Sequence, residues 1–437
     1  MSNSFDREES RRKFLQYLAA SPVVGMAGSA MAAEDDDVLA GPRVTGPSSR
    51  AQDPGVWKPY DPAYLIKRPE DALEVFEFEP IAHKNVPGAH FGFMSTGADD
   101  EGSLRANRQD YSKFVIRPRR LRDVRKVDTS IDFLGQKWAV PYFLCPIGSQ
   151  RMYHRDGELA VARASGKQGV MQALSTYASS CSIGQAREAR GGLPVVLQLY
   201  QQGNFEVTKA IVQRAEKEGS PAVFVTVDSV SARKDMTFER TRRDDSRLCG
   251  TCHDVSPRDP KGVRVVPRKR PMFSEVPAEL WDAKYTPDTL TWEFFKRLRD
   301  VTKMKIYPKG IMSAEDATLC LKYGLDGVYI SNHGARAEDT SGSTVSVLPD
   351  VVAAVKGKIP VVLDGGARRG MDVVKALAMG ATAVGVGRPY LWGLAAFGEP
   401  GVAKVLEILT AETVAAMQQV GAASVRDLTP NMIFNPL

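Results

Sequence analysis

Residues Val328-Tyr329-Ile330-Ser331-Asn332-His333-Gly334-Ala335-Arg336 change character in the middle. From Gly327 to Ile330 the run is apolar and of strand type, and Ser331 to Arg336 read as a polar turn. The turn holds an imidazole and a guanidinium three residues apart. Histidine titrates near neutral pH, so a neutral His333 can take a proton. Arginine is a permanent cation whose planar fork matches a carboxylate. A base beside a carboxylate clamp is what oxidation of a 2-hydroxy acid requires. A purely structural His-Arg turn is the other reading of the same residues.

The next two apolar runs have the same form. Val361–Leu363 leads into Asp364-Gly365-Gly366-Ala367-Arg368-Arg369-Gly370, and Ala383–Val386 leads into Gly387-Arg388-Pro389. Glycines just past a strand let the backbone approach an anion, and the N–H groups of the following helix start point at it. Further runs at Ala139–Cys145, Val170–Leu174, Val195–Leu199, Val223–Val227 and Lys305–Pro308 bring the strands to eight. Between them, Gly157–Lys167, Glu206–Glu218, Ala314–Lys322 and Met371–Met379 carry helical spacing. Eight strand–helix units predict an α/β fold, a (β/α)8 TIM barrel. Its active site would lie at the C-terminal strand ends, and two glycine turns after its last strands resemble the phosphate site of such a barrel.

Together with Ser331–Arg336, these turns resemble the FMN-dependent 2-hydroxy-acid oxidase and dehydrogenase family, which includes glycolate oxidase, lactate oxidase and flavocytochrome lactate dehydrogenase. The resemblance runs from about Phe91 to the C-terminus, with one interruption. It implies that Pro146, Ile147 and Gly148 lie along the flavin ring and that Ser175, Gln198 and Thr226 hydrogen-bond it. Lys309 would face the N1/O2 side, where a cation stabilises reduced FMN. Ser331, Asp364, Gly365, Gly366, Ala367, Arg368, Gly387 and Arg388 would hold the ribityl chain and phosphate. His333 would be the base, with Asp228 stabilising its imidazolium, and Tyr200 and Arg336 would bind substrate.

Three positions around the substrate depart from the family pattern. Phe93 stands where the family has an aromatic hydroxyl. Lys234, or its neighbour Arg233, stands for a substrate arginine, and a lysine lacks the bidentate fork. Ala337 follows Arg336 where a glutamine is common. FMN binding is therefore better specified than the acid.

The interruption, Arg240 to Pro271, lies in a lid-like insertion at about 231–286. Between Ser231 and Pro271 stand twelve Lys/Arg and six Asp/Glu, a net +6 that equals the excess of the whole chain. One local basic surface fits an acidic redox partner such as a cytochrome, or an anionic membrane surface, and not nucleic acid. Within it, Cys249-Gly250-Thr251-Cys252-His253 has the C-x-x-C-H pattern of haem c attachment, with Met272 a candidate second axial ligand. A Cys249–Cys252 disulfide, free thiols and a metal site using His253 remain open beside it. Cys145, Cys181 and Cys320 sit in apolar runs as small core residues.

Arg11-Arg12, the interrupted apolar stretch Tyr17–Met31 and Ala30-Met31-Ala32-Ala33 read as a twin-arginine signal over 1–33, which predicts a periplasmic protein. The stretch is too short and broken for a transmembrane span. Residues 34–90 read as a linker and N-terminal arm with a short helix at Pro69–Phe78, and 91–437 as the barrel. The expected activity is oxidation of a 2-hydroxy acid, with electrons passed to a cytochrome, quinone or bound haem. A dioxygen-using oxidase and a flavin-bound electron-transfer protein without turnover are the alternatives. The family is often tetrameric, so the resemblance also implies a homo-oligomer.

Overall fold

The structure, a computed structural model, describes residues 65–230, 234–245, 270–277, 280 and 290–434. The signal read at 1–33 lies outside the described residues. All of the described residues belong to one compact unit, Arg50–Leu437. Eight parallel strands close into a barrel: β1 (Tyr142–Leu144), β2 (Met171–Ser175), β3 (Val195–Leu199), β4 (Ala222–Thr226), β5 (Lys305–Ile311), β6 (Val328–Ile330), β7 (Val361–Leu363) and β8 (Ala383–Val386). Each pairs with its neighbours in chain order, and β8 closes on β1 through Val384 opposite Tyr142. This is the (β/α)8 barrel that the strand count predicts.

The expected helices appear at Glu158–Lys167, Phe205–Lys217, Ala314–Lys322 and Gly370–Ala378. Ser182, Asn204, Ser313 and Ser343 each cap a helix by accepting a backbone N–H in the first turn. Strand residues that alternate inward fill the barrel: Phe143, Met171, Ala173, Val196, Ala222, Phe224, Tyr307, Tyr329, Val362 and Ala383. A ribbon of Ile131–Phe133 and Gln136–Trp138 plugs one end of this interior, with the Phe133 ring edge-on to Tyr307. Gly327 has to lack a side chain there, because a Cβ would run into the Tyr307 ring.

The N-terminal arm is more ordered than the expected short helix and linker. Pro69–Asp71 and Val75–Glu77 are single 3₁₀ turns, and α-helices come next at Phe78–Asn85, Gly88–Ser95 and Gly102–Gln109. Val75, Phe76, Phe78 and Ala82 are buried, with Phe76 against Trp392 and Phe78 against Phe397. Tertiary burial thus orders a segment too short and mixed to show a clear period. Within the insertion, helix Met236–Arg243 packs on Gly88–Ser95, where Gly92 leaves room for Thr241. Among the described residues no helix is long and apolar enough to cross a membrane.

Candidate active site

The polar residues picked out in sequence converge at the C-terminal strand ends. Ser175 lies opposite Gln198 in the β2/β3 register, and Thr226 opposite Lys309 in β4/β5. All four are buried. Gln198 Nε2 donates to Thr226 Oγ1 at 2.8 Å, while Gln198 Oε1 has no partner among the described residues. A buried amide oxygen without a donor is costly, so a ligand N–H is the group this pocket is shaped to receive. Gly148 lies close beside Tyr177 and Ser175, so the loop Pro146–Gly148 hugs the next strand end.

Lys309 carries a buried cation into the same ring of residues. Its Nζ is 3.0 Å from Ser331 Oγ and 3.9 Å from the Asp364 carboxylate. Ser331 donates to Asp364 Oδ1 at 2.7 Å and accepts the N–H of His333 at 3.0 Å.

The glycine turn after β7 needs its glycines. Gly365 and Gly366 have φ of +106° and +81°, and a Cβ on Gly366 would collide with the Asn107 carbonyl. Arg368 is buried with its guanidinium 5.1 Å from the Trp392 ring centre. Gly387, by contrast, faces only ordinary contacts at 3.8 Å or more, so the turn after β8 is less crowded. Arg388, expected at the phosphate, also reaches backbone carbonyls. Its guanidinium donates to the carbonyls of Met94, Gly334 and Thr96, tying the N-terminal helices to the histidine turn.

That turn is conformationally unusual. His333, Gly334 and Ala335 all have positive φ, +60°, +65° and +63°, a strained arrangement for two residues with side chains. Asn332 pins it: its Oδ1 accepts Ala335 N–H at 2.9 Å and its amide exchanges hydrogen bonds with Asn107. The sequence alone gives neither Asn107 nor Asn332 a role.

The imidazole projects between two partners. Nδ1 lies 2.7 Å from Asp228 Oδ1, and Nε2 lies 3.0 Å from the Tyr200 hydroxyl. Burial pushes the Asp228 carboxyl upward, but the charges of His333 and Lys309 and the His333 hydrogen bond outweigh it and hold it below the usual carboxylate value. An ionised Asp228 accepts Nδ1–H, which leaves Nε2 of the neutral ring as the acceptor.

Arg336 lies in the same region, donating to the carbonyls of Phe93 and Thr96, with its guanidinium 4.5 Å from the Phe93 ring centre. Phe93 in turn meets Phe238 edge-on. Tyr177, which sequence reading missed, stacks beside Tyr200 and Phe273. Lys234 is exposed, and its carbonyl accepts Asp99 N–H; Arg233 lies outside the described residues. Met272 is fully buried in the apolar core, so packing accounts for it. Cys249, Cys252 and His253 lie outside the described residues. Among the described residues no group of His, Cys, Asp and Glu could hold a metal ion.

The donors and acceptors fit FMN: a buried amide oxygen unpartnered among the described residues, a buried ammonium and two glycine turns past the last strands. The FMN-dependent dehydrogenase family model matches residues 82–435. Human 2-hydroxyacid oxidase 1 is 39% identical over 371 residues, covering 83% of this chain and 96% of that protein. A peroxisomal (S)-2-hydroxyacid oxidase of Arabidopsis thaliana is 35% identical over 367 residues, covering 83% and 97%. A crystal structure of mandelate oxidase superposes with a TM-score of 0.71 at 34% identity, covering 84% of this chain and 99% of that one.

These relatives correct three expectations. They are named oxidases, and some are named peroxisomal, which overturns the exported, periplasmic, cytochrome-linked dehydrogenase and its twin-arginine signal. The haem c reading falls with it, since the match is to FMN enzymes. The chain belongs to the FMN-dependent dehydrogenase family and is an FMN-dependent oxidoreductase of that family.

Proposed function

We propose that this protein oxidises a 2-hydroxy acid to the 2-oxo acid and uses dioxygen as the electron acceptor. The observation that carries the reading is the line Asp228–His333–Tyr200, with contacts of 2.7 and 3.0 Å, beside Arg336. A binding protein has no use for a base held by a buried carboxylate.

In this reading Arg336 engages the substrate carboxylate and the Tyr200 hydroxyl orients the reacting end. His333 Nε2 takes one substrate proton, and Asp228 stabilises the imidazolium that results. Bound FMN supplies the electron sink for the two electrons removed. Gln198, Thr226 and Ser175 would hold the ring, Lys309 would face its N1/O2 side, and the turns Asp364–Arg368 and Gly387–Arg388 would take the ribityl phosphate. Dioxygen then takes two electrons and two protons to give hydrogen peroxide. The oxidase names of the relatives support this acceptor. Phe93, Tyr177 and Tyr200 give the site an aromatic surround, which favours substrates with an apolar side chain.

The test mixes oxidised protein anaerobically with glycolate, lactate and mandelate, then admits air. Bleaching of the flavin band followed by stoichiometric peroxide supports the reading. Bleaching without reoxidation by air rejects dioxygen, and no bleaching with any 2-hydroxy acid rejects turnover. Assembly as a homo-oligomer rests on family resemblance, and light scattering of the purified protein tests it.

A further inference from the structure

Beneath the strand ends lies a buried polar group that the proposed reaction does not use. Tyr329 points from β6 into the barrel and is completely buried, with its ring packed edge-on against Phe143 and Phe224. Its hydroxyl donates to Asp364 Oδ2 at 2.9 Å, and the ring centre lies 5.5 Å from Lys309 Nζ. The Cys145 thiol reaches the same cluster, 3.8 Å from both Asp364 Oδ2 and the Tyr329 hydroxyl. Gly385 of β8 makes the meeting possible, because a Cβ there would lie 2.8 Å from both Asp364 Cβ and Cys145 Sγ.

A carboxylate and an ammonium at 3.9 Å in a dry interior would ordinarily collapse into a direct contact. Here each Asp364 oxygen already has a hydroxyl donor, Ser331 on Oδ1 and Tyr329 on Oδ2. Lys309 instead donates to Ser331 at 3.0 Å. Burial drives the Tyr329 phenol far above its ordinary pKa, with the Asp364 charge acting in the same direction, so the hydroxyl keeps its proton and remains a donor.

We propose that Tyr329 is a positioning residue for flavin reduction: its hydroxyl occupies Asp364 and so leaves the Lys309 charge directed at the flavin. The proposal rests on Lys309 facing the N1/O2 side of FMN. A cation there favours the reduced, more negative ring. Without the hydroxyl, Asp364 Oδ2 loses its donor and draws Lys309 down, and the flavin becomes harder to reduce.

The test is the midpoint potential of FMN in the holoenzyme for Tyr329→Phe, with FMN content and circular dichroism as controls. Tyr329→Phe keeps the ring against Lys309 and removes only the donor. The expected result is bound FMN at a more negative potential. A tenfold change in the ratio of reduced to oxidised flavin corresponds to about 30 mV for a two-electron couple. A fluorotyrosine at 329, a stronger donor of nearly the same shape, should move the potential the other way and serves if Tyr329→Phe does not fold. In an Asp364→Asn background, Tyr329→Phe should have little further effect. An unchanged potential in Tyr329→Phe or the fluorotyrosine protein, while Lys309→Gln lowers it, overturns the proposal alone. An unchanged potential in Lys309→Gln overturns the placement of Lys309 and the proposal with it.

Discussion

His333 Nδ1 and Asp228 Oδ1 lie 2.7 Å apart although 105 residues separate them in the chain. One stands past the end of β6 and the other past the end of β4, with β5 between them. Gly310 of β5, at φ +122°, makes the approach possible, since a Cβ there would lie 2.7 Å from Asp228 Cβ. His333 is thus held by a contact that crosses a neighbouring strand.

Replacing His333, the proposed base, should separate chemistry from cofactor binding. His333→Gln is expected to lower the rate of flavin reduction by 2-hydroxy acid by roughly 10²- to 10⁴-fold, the usual contribution of a positioned base. FMN content should stay near that of the wild type, because the flavin-facing groups are untouched. Stopped-flow reduction beside an absorption spectrum measures both, and equal loss of FMN and rate would count against the assignment.

The pH dependence of stability follows from the lowered carboxyl of Asp228. In the unfolded chain this group binds its proton near the ordinary value of about 4. In the folded protein it binds only at lower pH, so the unfolded state takes up protons first as the solution is acidified. Its stabilising contribution is present above about pH 4 and disappears as pH falls through the lower folded value. Thermal midpoints of wild type and Asp228→Asn should therefore differ most at neutral pH and converge in acid. A gap independent of pH would show that the carboxylate charge is not what stabilises.

Glu158 is fully buried, yet no described lysine or arginine pairs with it. Its oxygens accept from Gln150 N–H, Ser179 N–H and hydroxyl, and Ser180 N–H and hydroxyl, at 2.6 to 3.1 Å. That ties the loop after β1 to the loop after β2, which carries Tyr177. Glu158→Ala leaves these donors unpaired and should destabilise by about 3 kcal/mol or more, at roughly 1–3 kcal/mol per buried orphan. Denaturant titration measures it, and a loss under about 1 kcal/mol would mean that water replaces the carboxylate.

Gly366→Ala should cost both fold and cofactor. The φ of +81° is unfavourable for any side chain, and the new Cβ would meet the Asn107 carbonyl. The expected outcome is destabilisation beyond about 2 kcal/mol, with weakened FMN retention on gel filtration. Retention at the wild-type level would show that the turn can shift without disturbing the phosphate site.

Phe93→Tyr restores a hydroxyl beside Arg336, whose guanidinium lies 4.5 Å from this ring centre. If the ring edge borders the substrate, kcat/KM for small 2-hydroxy acids should rise several-fold through a lower KM, in keeping with one added hydrogen bond of about 1 kcal/mol. No change in KM would place the ring edge away from the carboxylate.

Much of the barrel was legible because its signal is local. Buried parallel strands are short apolar runs, and turns such as Asp364–Gly366 declare their backbone needs by composition. The His333–Arg336 turn was legible for the same reason. Lys234, the haem pattern at Cys249–His253 and the export reading were drawn from short motifs whose meaning depends on surroundings that sequence spacing does not supply. The export and haem readings did not survive comparison with relatives.

Local sequence specifies the eight strands, the side chains at their ends and the glycines their turns require, since strand period and left-handed backbone are properties of neighbouring residues. What those side chains meet is set by the folded barrel. Arg388 is turned to the carbonyls of Met94, Gly334 and Thr96, and Tyr329 is joined to Asp364 under Lys309. Such contacts arise when barrel closure brings distant strand ends within hydrogen-bond reach, and no local pattern in the chain records that distance.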